Sequence, residues 1–191
     1  IQFKEVNFSH ARQFQTCHDS HSTKVLNRLL ETLATQVKLE VYLLPVFDNT
    51  GNNKWAYWQE ALKWIDAHQI DLVMSSSGIG FRDEMNNLCH LPQGPIYVFS
   101  SGRKEGKLDK AKSLFPQMCV NNTNVFLVGV EFLLGPGKKM VDPQSFYPDK
   151  IKLFDEQSSN SQDGSSMALA NVVGRVLIKC YADQKLNRSN A

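Results

Sequence analysis

Short apolar runs alternate with amphipathic stretches along most of this chain, and that alternation narrows the folds open to it more than any other feature. KLEVYLLPVF (38–47), DLVMSSSG (71–78), GPIYVFSSG (94–102) and NVFLVGV (124–130) are strand-length runs closed by small residues or turns. IQFKEV (1–6) alternates apolar and polar residues as a short half-buried strand does. Between them, STKVLNRLLETLATQ (22–36) sets Val25, Leu26, Leu29, Leu30 and Leu33 at helical spacing, with Ser22 or Thr23 before them as a cap. Residues 54–69 place Trp55, Trp58, Ala61, Leu62 and Ile65 on one helical face, and SSMALANVVGRVLIKCYADQ (165–184) is the strongest helical segment. Strands interleaved with helices predict an α/β domain in three layers, a mostly parallel sheet with helices on both faces.

Length and composition set the bounds. A chain of 191 residues with 42% hydrophobic and 21% charged residues fits one globular domain, 1–191, with a substantial core. The polar run DEQSSNSQDGSS (155–166) reads as a loop inside that domain, and the chain has no internal repeat. A formal net charge of +2, with no dense Lys/Arg run, gives no case for nucleic acid as a partner. No apolar run approaches the ~20 residues of a membrane span. Cys17, Cys89, Cys119 and Cys180 are scattered without a CxxC pair, so no zinc site is expected. Two disulfides and free buried thiols both remain open to them. No acidic cluster resembles a tight calcium site and no nucleotide or redox motif is present, so no metal and no cofactor is expected. Asn7, Asn121 and Asn187 each open a short Asn-x-Ser/Thr sequence that chance also produces.

In an open sheet of this kind, functional residues gather where strands end and helices begin. The stretch QDGSSMALANVVG (162–174) is one such place. Mechanically, Gly164 allows a tight turn and Ser165 caps the helix that follows. Chemically, a serine in the first turn lies beside unpaired backbone N–H groups and the positive end of the helix dipole, where an oxyanion is stabilised. His21 stands just ahead of the first amphipathic helix, and the small-residue ends at 75–78 and 100–102 close two central strands. A base within reach of a hydroxyl is the minimum for nucleophilic catalysis.

These segments, in this order, carry a resemblance. GSSMALANVVG (164–174) resembles the nucleophile motif of the subtilisin-like serine proteases, Gly-Thr-Ser-Met-Ala-x-Pro-x-Val-x-Gly, at Gly164, Ser166, Met167, Ala168, Val172 and Gly174. HSTKV (21–25) is similar to that family's His-Gly-Thr-His-Val, with His21 at the catalytic base. DLVMSSSG (71–78) resembles the family's substrate-pairing strand, and IYVFSSGRKEG (96–106) the strand that leads to its oxyanion asparagine. The resemblance implies a shortened subtilisin-like catalytic domain. Ser166 would be the nucleophile and His21 the general base, with the Ser166 backbone N–H donating to the oxyanion. A peptide or protein substrate would lie along Ser76, Ser77, Gly78, Ser101 and Gly102, in an open groove with unpaired backbone groups.

The same comparison shows departures at the mechanism. Asn7 falls where the triad aspartate belongs, and Arg103 where the oxyanion asparagine belongs. Ser22, Lys24 and Ala170 replace a glycine, a histidine and a proline of the family pattern. Exchanging the triad acid for its amide costs about 10⁴ in kcat in serine proteases, and loss of one oxyanion donor about 10²–10³. Asn7 keeps a carbonyl oxygen with which to orient His21 but brings no charge, while Arg103 offers a longer, charged donor in place of asparagine. Glu5 and Asp19 are the alternative carboxylates. The expected function is therefore peptide-bond hydrolysis, attenuated or lost. A catalytically dead pseudopeptidase that binds a protein or peptide is the alternative, and an esterase acting on small activated esters is a further one.

Overall fold

The computed structural model describes residues 1–6, 8, 21–33, 37–48, 50–156 and 164–189. Asn7, Cys17 and Asp19 lie outside the described residues. Two strands open the fold, β1 (Gln2–Glu5) and β2 (Glu40–Leu43), paired in parallel through Gln2–Glu40 to Glu5–Leu43. The strand expected over 38–47 is thus confined to its middle. Pro45, which has no N–H to donate, follows β2, and an isolated bridge between Phe47 and Asn53 closes the next turn.

The main sheet has five strands. β3 (Leu72–Ser75), β5 (Ile96–Ser100) and β7 (Val125–Gly135) run parallel side by side, and β9 (Ile151–Glu156) continues parallel to β7. β8 (Lys138–Val141) turns back antiparallel on the far half of β7, so the sheet is mixed and only partly parallel. A small antiparallel ribbon, β4 (Ile79–Phe81) with β6 (Ser113–Phe115), stands apart from it. The ribbon, β8 and β9 were absent from the sequence expectation. The polar run placed in a loop over 155–166 instead begins inside β9 and ends inside a helix, because Asp155 is held by Asn171 Nδ2 at 2.6 Å and by Arg175 at 2.8 Å.

Three α-helices occur among the described residues: α1 (His21–Leu33), α2 (Trp55–Asp66) and α3 (Ser165–Ser189). Their apolar positions fall where periodicity puts them. Val25, Leu29 and Leu33 of α1 and Trp58, Ala61 and Ile65 of α2 are buried, while Leu26 and Leu30 are only partly covered. The alternation of side chains along the strands then divides the core. Val98, Val128 and Val130 pack with α1 and with Ala168, Leu169, Val172 and Val173 of α3. Their neighbours Tyr97, Phe99 and Leu127 pack with Trp58 of α2, Phe115 and Met118. The helices α1 and α3 approach closely at Gly174, where an added Cβ would lie 2.5 Å from Thr32 Cγ2. Among the described residues, no helix is long and apolar enough to cross a membrane.

Candidate functional site

β3 and β5 are adjacent parallel strands, and their carboxyl ends deliver Ser76–Ser77–Gly78 and Ser101–Gly102 to one edge of the sheet. The head of α3 arrives at the same edge. The Ser166 hydroxyl donates to the Ser76 carbonyl at 3.4 Å, and the Gly102 N–H donates to Ser165 Oγ at 3.2 Å. Ser165 therefore does not cap α3 as the sequence suggests. The helix starts at Ser165 itself, and the Gly164 carbonyl accepts the N–H groups of Met167 and Ala168. Released from capping, the buried Ser165 hydroxyl fastens the helix to the end of β5. Gly102 permits this with φ +66, where a side chain would be strained and an added Cβ would meet Leu114 Cδ2 at 2.7 Å.

Of the expected site residues, Ser166, Ser76, Ser77, Gly78, Ser101 and Gly102 come together in this way. His21 is the first residue of α1 and is exposed. Its ring makes no hydrogen bond among the described residues, and the Ser166 hydroxyl is given to Ser76 instead. Asn7 lies outside the described residues. Arg103 follows Gly102, but its guanidinium is occupied: Nε is 2.8 Å from Asp142 Oδ2, NH1 is 3.2 Å from Glu105, and NH2 donates to Gln144 Oε1 at 2.5 Å. The Asp142 contact is an ion pair in which the Nε–H is not aligned as a hydrogen bond. An arginine shared among three partners has little freedom left to follow a developing oxyanion.

The crevice between the two strand ends differs from the open groove expected of it. Ser77 O accepts from Gln117 Nε2 at 3.4 Å, and Ser100 O accepts from the same amide at 3.0 Å. Gly78 O accepts from Asn53 Nδ2 at 3.2 Å, and Asn53 Oδ1 in turn takes the Trp58 indole N–H at 2.8 Å. All three carbonyls of Ser76–Gly78 thus already accept a hydrogen bond from the chain's own side chains. Ser101 is fully buried, with its N–H on Val128 O and its hydroxyl on Ser145 at 3.2 Å. An extended peptide added to this edge would have to compete with those bonds.

Gln117 and Asn53 carry this arrangement, and neither was singled out in the sequence. Gln117 had a signal to offer: it is the one polar residue within LFPQMCV (114–120), and a polar side chain in an apolar run is buried only with partners. It is 1% exposed, and its Oε1 and the Ser100 hydroxyl remain buried without a partner beside the crevice. Asn53 closes the turn DNTGNN, which gives no sequence hint of a reach to Gly78. Among the described residues, no group of three or more His, Cys, Asp or Glu side chains is placed to hold a metal ion.

No protein-family model matches this chain, and no curated protein is similar enough to count as a relative.

Proposed function

We propose that this chain is a subtilisin-like serine peptidase domain, three-layered, whose peptide-hydrolysing chemistry is strongly attenuated. Ser166 holds the nucleophile position and His21 the general-base position. One observation carries the reading. The Ser166 hydroxyl lies in the first turn of α3, 3.4 Å from the carbonyl of Ser76, which follows β3, so a serine is presented at the carboxyl ends of two adjacent parallel strands. That is a geometry in which a serine oxygen can attack a carbonyl carbon while backbone N–H groups receive the negative charge.

Attenuation follows from what surrounds it. The hydroxyl donates to Ser76 and not to an imidazole, so among the described residues no base draws off its proton. Asn7 brings no negative charge to steady an imidazolium. Arg103 is held by Asp142, Gln144 and Glu105, leaving the Ser166 backbone N–H without its usual companion donor. The filled crevice supports a second reading, a pseudopeptidase that binds a protein partner, because Gln117 and Asn53 occupy carbonyls that a substrate backbone would use. Fluorophosphonate labelling separates the two. An attenuated peptidase labels slowly and only at Ser166, whereas a pure binding module does not label there at all.

A further inference from the structure

We propose that Asn121 is an acceptor for N-linked oligosaccharide, transferred from a lipid-linked pyrophosphate donor. Asn121-Asn122-Thr123 has the acceptor pattern, an asparagine followed two positions later by a hydroxyl residue, with no proline between. The fold puts that pattern where a bulky hydrophilic group can be carried.

The motif lies in the turn of residues 120–124, between the 3-10 turn Gln117–Cys119 and β7. Backbone and side-chain bonds fix this turn around Asn121. The Cys119 carbonyl accepts the Asn122 N–H at 2.9 Å, and the Asn122 carbonyl accepts the Val125 N–H at 3.1 Å. Asn124 Nδ2 donates to the Pro95 carbonyl at 2.9 Å. The two residues that the chemistry needs are left outside these bonds. Asn121 and Thr123 are exposed, and neither side chain makes a hydrogen bond among the described residues. Asn122, between them, is half-buried. An attached oligosaccharide has to stay in water, so its acceptor belongs in a surface loop. Asn187-Arg188-Ser189, by contrast, lies in the helical backbone of α3, and Asn7 lies outside the described residues.

Residues 121–124 also form one wall of a cavity of about 660 Å³, faced by Lys63, Asp66, His90 and Gln93. The cavity gives the first sugars room beside Asn121 and polar side chains to meet their hydroxyls. It lies where β5 and β7 begin, whereas Ser101 and Gly102 follow the end of β5. The 5 residues of β5, at ~3.3 Å each, set the two places about 16 Å apart. The acceptor is thus separate from the serine site, and the inference does not rest on the peptidase reading.

The transfer balances in one step. Asn121 Nδ2 forms a bond to the anomeric carbon of the first sugar, and the bond from that carbon to the pyrophosphate oxygen breaks. The lipid pyrophosphate leaves with the electron pair, and the amide nitrogen gives up one proton. No oxidant or reductant enters. The Thr123 hydroxyl completes the pattern that the transferase reads.

The full chain, carried into endoplasmic-reticulum microsomes behind a cleavable leader, tests this. Once the leader is removed, release of the sugar by peptide-N-glycosidase in heavy-oxygen water should leave a labelled aspartate at position 121. Asn121→Gln and Thr123→Ala should each abolish that label, Thr123→Ser should keep it, and Asn187→Gln should leave it unchanged. Should Asn121→Gln fold poorly, Thr123→Ala, which keeps the asparagine, gives the same reading. A translocated, protease-resistant chain with Asn121 unmodified would overturn the proposal. So would a label at position 121 that persists in Thr123→Ala, since it would mark spontaneous deamidation in place of a glycan.

Discussion

Ser165 Oγ accepts the Gly102 N–H at 3.2 Å, joining the first turn of α3 to the end of β5 across 63 positions of sequence. The bond leaves its neighbour Ser166 as the residue presented to the strand ends. Ser165→Ala removes the acceptor and strands a backbone N–H at a part-buried junction. It should cost about 1–2 kcal/mol of stability. Urea unfolding should show a lower midpoint with an unchanged slope.

Arg103 and Asp142 should prove to be one structural unit. Asp142 is 5% exposed, so Arg103→Asn leaves a buried carboxylate without its cation, although solvent around the arginine limits the loss to about 1 kcal/mol. Adding Asp142→Asn removes the stranded charge, and the double variant should lose less than the sum of the two single changes. A denaturation cycle over the four proteins reads this directly.

Gly174 is needed by the contact between α1 and α3. In Gly174→Ala the new methyl meets Thr32 Cγ2 at 2.5 Å, and the helices must part. Overpacking of this kind costs about 1–3 kcal/mol, against a helix-propensity gain of at most ~1 kcal/mol. Net destabilisation is expected, larger for Gly174→Val, as a lowered midpoint of thermal unfolding.

Asp48 supplies a pH dependence. Its carboxylate accepts from the Thr50 hydroxyl at 2.7 Å and from the Asn52 N–H at 2.9 Å, and these bonds hold its pKa well below the usual carboxylate range. A depressed folded pKa means that the unfolded chain takes up the proton first as pH falls. The contribution is therefore complete above the ordinary aspartate value of about 4 and disappears as pH drops towards the lower folded value. The stability difference between the parent and Asp48→Asn should be constant from neutral pH to about 5, then shrink on acidification.

The sequence was most legible where burial is periodic. Val25, Leu29 and Leu33 in α1 and the run Tyr97–Val98–Phe99 in β5 announce their faces by spacing alone, so the helices and central parallel strands could be placed. β8 and the β4–β6 ribbon could not, since Lys138–Val141 is short and mostly exposed, and Ile79–Phe81 and Ser113–Phe115 are only three residues each, too short to carry a period. Of the candidate site, local motif placed Ser166 and Gly102 at their turns. What closes the crevice was not legible, because Gln117 and Asn53 act through contacts 40 and 25 positions away. The setting of Arg103 was only partly legible: Glu105 lies two positions away, but its other partners Asp142 and Gln144 lie far along the chain.

The most direct test of the central claim is the rate of fluorophosphonate labelling at Ser166 before and after the acid is restored. The parent chain should label slowly, and Asn7→Asp should accelerate labelling by up to about 10⁴, the size of the effect this exchange has in serine proteases. Arg103→Asn added to Asn7→Asp should accelerate it further, and Ser166→Ala should abolish it in every background. A folded Asn7→Asp, Arg103→Asn chain that remains as inert as the parent, or labelling that survives Ser166→Ala, would contradict the account.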